Sequence, residues 1–201
     1  MSLLVGSRRA LLGGGATRVL TSDSFNRADT SAGTLGTSDA AYGGSAAAWT
    51  TSGEFKITSN KAGRSTATNV RTAFVPVGQD SMRVTAVLNT RPAGGFTGIL
   101  ARFTDTSNYY VIFVDSTGAM EIDKRVAGVT SRISGPTTTG VFTGGDTLGI
   151  SVIGTTVTAY VNGVSLLSVN DTSITTGSNA GLYVPNGDAT ITFDDFKVFS
   201  Q

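Results

Sequence analysis

Apolar and polar residues alternate in short runs along most of the 201-residue chain, and Gly, Asn, Asp, Ser and Thr separate the runs. That pattern predicts β-strands joined by tight turns. The clearest example is three successive strands at residues 98–104, 108–115 and 119–126, connected by Asp105-Thr106-Ser107 and Ser116-Thr117-Gly118. In the third, Met120, Ile122 and Val126 fall on one side and Glu121, Asp123 and Arg125 on the other, because successive side chains of a strand point to opposite faces. One face of a sheet is therefore expected to be apolar, and the other to carry two carboxylates and a cation.

The same reading along the rest of the chain predicts a first strand at residues 19–25 and an Ala/Gly/Ser/Thr-rich loop over 26–48. The only tryptophan, Trp49, opens the next ordered part. Strands are expected at 54–58, 69–75, 82–89, 129–133, 147–153, 157–161, 164–169, 180–184 and 189–199. Alternation is cleanest at Val84, Ala86 and Leu88 and at Leu148, Ile150 and Val152. Asn162-Gly163 is a type I′ hairpin signal. In the last strand Ile191 and Phe193 share one phase and Phe196 and Val198 the other, so Asp194-Asp195 at the switch predicts a β-bulge or a change of sheet. No apolar period of 3.6 residues persists over the roughly 11 residues that an amphipathic helix needs. About a dozen short strands with frequent turns describe a β-sandwich or jelly roll. They form one domain, residues 21–201, behind an arm of residues 1–20.

Composition narrows the function. Only 14% of the residues are charged and the net charge is +1, so no electrostatic footprint for nucleic acid or an anionic membrane exists. Without cysteine there are no disulfides and no thiolate metal sites. Without histidine the chain lacks the commonest general base and zinc ligand, which argues against a triad hydrolase or a typical zinc enzyme. No apolar run approaches the ~20 residues that span a bilayer.

The N-terminus carries Ser7-Arg8-Arg9 before Ala10-Leu11-Leu12, superficially like a twin-arginine export signal. Gly13-Gly14-Gly15 and Arg18 close the apolar part too early for one. The plainer reading is a sticky arm. Arg8, Arg9 and Arg18 precede the first acid, Asp23, so the arm is +3 and the remainder −2. Leu3, Leu4, Val5, Leu11 and Leu12 cannot be buried by so short a segment alone, so docking on another subunit is expected. The glycine runs at 13–15 and 43–44 do not join a strand to a helix, so they are not phosphate loops.

Several motifs resemble a known group. They are Asp23-Ser24-Phe25-Asn26-Arg27-Ala28-Asp29, Gly53-Glu54-Phe55-Lys56-Ile57 after Trp49, and Gly98-Ile99-Leu100-Ala101-Arg102-Phe103 before Asn108-Tyr109-Tyr110. Val161-Asn162-Gly163-Val164 and the closing Phe193-Asp194-Asp195-Phe196-Lys197-Val198 complete the set. Across residues 23–199 the chain resembles the laminin-G-like and concanavalin A-like jelly rolls. The resemblance implies an all-β, antiparallel two-sheet β-sandwich with an extended N-terminal arm. Members of the group include lectins, carbohydrate-binding modules, glycoside hydrolases and binding domains on bacteriophage tail proteins. A cysteine-free domain behind a sticky arm without an export signal looks most like a phage virion component, in the tail or on the capsid surface. That implies location in the virion, other virion subunits as partners through the arm, a host-surface glycan as ligand, a homo-oligomer and no cofactor. A free carbohydrate-binding module, a purely structural decoration protein and a glycoside hydrolase remain open.

Retaining glucanases of this superfamily carry Glu-x-Asp-x-x-Glu on one strand, with two carboxylates ~5–5.5 Å apart as nucleophile and acid. Glu121-Ile122-Asp123 resembles the first half, but Val126 stands at the position of the acid, so hydrolysis is not expected. The expected ligand-lining residues are Arg102, Asn108, Tyr109, Tyr110, Glu121 and Asp123, set against the plainer reading of solvated surface groups. Tyr109 and Tyr110 must point to opposite faces, one into the core and one as a platform on which a sugar could stack. Asp23, Asp194 and Asp195 form a second acidic set. Calcium wants 6–8 oxygens, and turn and bulge chemistry accounts for these aspartates, so no metal ligand is assigned. Trp49 is expected to anchor the core.

Overall fold

The computed structural model describes residues 17–41, 46–65, 71–184 and 188–201. Most of the expected N-terminal arm and the first two residues of the strand expected at 69–75 lie outside them. The described residues form sixteen strands and no helix. In chain order these are β1 (Val19–Asp23), β2 (Ala40–Ala41), β3 (Thr50–Thr51), β4 (Phe55–Thr58), β5 (Lys61–Arg64), β6 (Arg71–Pro76), β7 (Met82–Leu88) and β8 (Phe96–Asp105). They continue as β9 (Asn108–Asp115), β10 (Met120–Val126), β11 (Val129–Ser134), β12 (Thr147–Ile153), β13 (Thr156–Val161), β14 (Val164–Asn170), β15 (Asn179–Val184) and β16 (Thr192–Ser200).

The strands make two antiparallel sheets packed as a sandwich. One runs β14-β13-β12-β7-β16-β1-β2, with the β4–β5 hairpin attached through β5 to β16. The other runs β11-β10-β9-β8-β15-β6-β3. The alternating positions point where their pattern predicts. Met82, Val84, Ala86 and Leu88 of β7 and Leu148, Ile150 and Val152 of β12 are all fully buried between the sheets. They meet Tyr110, Ile112 and Val114 of β9 and Met120 and Ile122 of β10 from the opposite sheet. Burying each of the Val, Leu, Ile and Met side chains contributes about 1.5–3 kcal/mol.

The phase switch in the last strand is a bulge. Pairing of β16 with β7 shifts between Asp194 and Lys197, and Asp195 has φ +47°. The extra residue restores the apolar phase, so Phe193, Phe196 and Val198 all reach the core. The strand stays in one sheet across the bulge. Two features escaped the pattern. The β4–β5 hairpin turns at Ser59 and Asn60, both at positive φ but without glycine in the turn. The region expected as loop 26–48 also supplies β2 and an isolated bridge between Thr37 and Ala48.

Candidate functional site

Residues 109–114, YYVIFV, form an unbroken apolar run, which in a strand means that both faces are covered. The inner face packs into the core, and the outer face carries Tyr109, Val111 and Phe113. Register places Asp123 opposite Val111, Glu121 opposite Phe113 and Arg125 opposite Tyr109. On the other side Leu100 pairs with Val111, and Tyr183 of β15 sits opposite Gly98. These residues build a second apolar cluster of Leu100, Phe103, Tyr109, Val111 and Phe113, flanked by Phe74 and Tyr183.

The rings of this cluster touch in order. Phe74 stacks on Phe103 at 4.5 Å, and Phe103 stacks on Tyr109 at 5.6 Å and 13°. Phe113 meets Tyr183 edge-on at 4.8 Å, across glycine at position 98. Phe96, 39% exposed, lies at the rim, 5.6 Å from Phe113. The outer face thus carries a layer of aliphatic and aromatic side chains whose members are buried, with Phe74 and Tyr183 half-buried and Phe96 exposed at its edges.

Two carboxylates flank this cluster on β10, and both are buried, Glu121 at 4% exposure and Asp123 at 7%. Glu121 is ion-paired with Arg132 of β11. Burial raises its pKa and the charge of Asp123 raises it further, against the pull of Arg132. Burial likewise raises Asp123, against Arg132. Asp123 Oδ1 has no hydrogen-bond partner. A buried acceptor left unmet costs about 1–3 kcal/mol, more when charged. Burial also pushes the Tyr109 hydroxyl up to about 12.

Of the six residues expected to line a ligand site, the structure brings Tyr109, Glu121 and Asp123 onto this face. It holds the other three elsewhere. Tyr110 points into the core, where its hydroxyl donates to Asp171 Oδ1 at 2.7 Å. Asn108 braces two turns, donating to Asp105 Oδ1 at 3.0 Å and accepting from Ala127 N at 3.1 Å. Arg102, 2% exposed, plugs the end of the sandwich. Its guanidinium donates to the carbonyls of Asp80 (3.1 Å), Gly154 (3.0 Å) and Ile174 (2.8 Å). The cause is a bulge: Arg102 has φ +48°, and the pairing of β8 with β9 shifts beyond Ala101. Ala101 therefore packs in the core while Phe103, two residues on, packs in the outer cluster.

The residues of this face that the alternation did not single out include Phe74, Phe103, Phe113, Tyr183 and Arg132. The two-faced apolar run signalled Phe113, and hairpin pairing of residues 120–134 would have placed Arg132 beside Asp123. Phe74 and Tyr183 depend on strand order, which a single sequence does not carry.

The acidic set around the first and last strands is structural. Asp23 accepts from Arg27 Nη1 and Nη2 at 2.7 and 2.8 Å, Trp49 Nε1 at 2.7 Å and Phe25 N at 2.8 Å. Asp194 pairs with Lys61 at 3.9 Å and Asp195 with Lys197 at 3.5 Å. Among the described residues no three acidic side chains group as a metal site. Trp49 packs in the core between Phe25 (5.8 Å) and Phe196 (5.0 Å), the anchor its position suggested.

No family model matches the sequence, and no curated protein matches it significantly. Solved structures do. The carbohydrate-binding module CBM66 from Bacillus subtilis aligns at 18% identity and TM-score 0.52, over 76% of this chain and 92% of that one. The exoplasmic/lumenal domain of VIP36, in a form bound to Ca²⁺ and Man2, aligns at 11% and 0.57, over 76% and 81%. A structure from work on endo-acting O-glycanases of the human gut microbiota that initiate mucin breakdown aligns at 13% and 0.57, over 92% and 100%. At these identities what is shared is the architecture: this chain has a two-sheet β-sandwich jelly-roll fold like theirs.

Proposed function

We propose that this protein is a non-enzymatic carbohydrate-binding component of a bacteriophage virion, and that the outer face of the seven-stranded sheet holds the sugar. The observation that carries the binding reading is Asp123, a buried carboxylate with an unmet oxygen at the side of the outer aromatic cluster. Sugars offer hydroxyl donors for the carboxylate, and C–H faces that pack on the accessible rings of Phe96, Phe74 and Tyr183. The solved structures of like fold support it, since they include a carbohydrate-binding module and the VIP36 exoplasmic/lumenal domain in a Ca²⁺- and Man2-bound form.

Catalysis is not part of this reading. Glu121 is tied to Arg132, and β10 holds no acid at Val126 to donate a proton to a leaving group. The protein should release no reducing ends from neutral polysaccharides. The virion part rests on the sequence: a basic, leucine-bearing arm ahead of the domain. Deleting residues 1–20 should leave the domain folded and remove it from particles; normal incorporation of the truncated chain would overturn the anchoring role. The binding part is tested on a glycan array and by calorimetry with parent protein and Asp123→Ala. Binding that drops at least tenfold in the variant supports the site, and equal binding by both places the sugar elsewhere.

A further inference from the structure

The outer face of the nine-stranded sheet holds a cation that the fold positions and leaves without an acceptor. Register lines up Ser151, Arg83, Phe199 and Val19 across β12, β7, β16 and β1. Tyr160 of β13 joins them from its place opposite Gly149. Val19 is 48% exposed, and Arg83, Tyr160 and Phe199 are half-buried, so this row is open to solvent.

Tyr160 is laid across β12. Its hydroxyl is hydrogen-bonded to Ser151 Oγ at 3.1 Å. A Cβ on Gly149 would meet the Tyr160 side chain at 3.2–3.6 Å, so glycine leaves the tyrosine its seat. The Arg83 guanidinium lies over that ring, 4.4 Å from its centroid. Stacking of this kind holds a long, flexible side chain in one place and presents its planar donor fork ready-made.

What the fork lacks is a partner. Among the described residues Arg83 makes no hydrogen bond and no ion pair. The carboxylates along β16 are taken, Asp195 by Lys197 at 3.5 Å and Asp194 by Lys61 at 3.9 Å. Arg83 Nε is shut off from water and cannot meet a ligand. The two Nη groups are not shut off, and they are the donors left open.

We propose that this face binds an acidic saccharide. The Nη edge of Arg83 takes the carboxylate or sulfate group, two parallel N–H donors meeting two oxygens. Phe199 and Val19, next along the row, pack against the C–H face of the adjoining sugar. The site lies on the opposite sheet from Asp123 and does not depend on it.

The test is calorimetry on the whole chain with trigalacturonate, its methyl ester as the neutral control, and a galactose disaccharide carrying one sulfate. At least one of the two acidic ligands should bind, which identifies the acid group, and the methyl ester should not. Arg83→Gln and Arg83→Lys should each weaken that binding by about tenfold or more, because lysine keeps the charge but not the fork. In the parent protein the Arg83 Nε–H resonance should shift with the acidic ligand and stay fixed with the ester, a readout that needs no variant. Undiminished binding by either variant, or a silent Arg83 resonance, overturns the site. So does a failure of both acidic ligands to bind. None of these results touches the reading of Asp123, which is tested with neutral glycans and its own variant.

Discussion

The Tyr110 phenol reaches across the edge of the core and donates to Asp171 Oδ1 at 2.7 Å, fastening the segment after β14 to β9. Lys124 Nζ donates to the other carboxylate oxygen at 2.6 Å, and Ser173 N to the first at 2.8 Å. Burial alone would raise the pKa of Asp171, but these donors outweigh it and hold it at about 2. A carboxylate depressed in the folded state stabilises the fold at pH values above its ordinary range and loses that contribution as pH falls through the folded value. Asp171 thus contributes about 2 kcal/mol at neutral pH, lost between roughly pH 4 and pH 2. Tyr110→Phe should lower Tm by about 2–4 °C at pH 7. Thermal denaturation across pH should show that deficit shrinking below pH 3.

Asp123 carries the opposite sign. Its pKa is raised in the fold by burial, so its ionised form costs stability at neutral pH and the cost disappears as the group protonates in acid. Asp123→Asn should therefore raise stability by about 1 kcal/mol at pH 7 while weakening sugar binding. The gain should vanish in acid, where the parent aspartate is itself neutral. A less stable variant at neutral pH would mean that the attraction of the Arg132 charge outweighs the burial.

How much of this was legible beforehand follows from which signals are local. Strand phase is local, so β7, β10 and β12 and the bulge at Asp195 could be read from single residues. The fate of Tyr109 and Tyr110 was half legible: opposite faces were certain, but which face was core depends on the packing of β12 and β7 over β9. Arg102 was illegible, because alternation from Ala101 gives it an outward place and only its positive φ turns it inward. The far side of the outer cluster, Phe74 and Tyr183, requires β15 to lie beside β8 and β6 beside β15, a pairing of segments far apart in sequence.

Asp23 should respond to mutation and not to calcium. Its carboxylate accepts four donors, two of them from Arg27, and its side chain is wholly buried. Asp23→Ala leaves the Trp49 and Phe25 N–H groups without their acceptor and leaves Arg27 only the longer pairing with Asp39 at 3.6 Å, and should cost about 3 kcal/mol. Adding millimolar CaCl₂ or EDTA should leave Tm unchanged; a calcium-dependent rise would show that Asp194 and Asp195 open toward a metal.

Arg102 offers a way to separate side chain from backbone at one position. Three carbonyls, those of Asp80, Gly154 and Ile174, depend on its guanidinium, and a lysine cannot reproduce the planar fork. Arg102→Ala should cost about 3 kcal/mol, roughly 1 for each carbonyl left without a donor. Arg102→Gly removes the same hydrogen bonds but relieves the strain of a Cβ at φ +48°, worth about 1–2 kcal/mol. Urea denaturation should therefore rank the parent above Gly and Gly above Ala, the reverse of the usual preference for alanine. If Ala proves the more stable of the two, the bulge relaxes when the side chain goes. The φ at 102 is then held by the guanidinium's pull on the three carbonyls rather than by the pairing of β8 with β9 and β15.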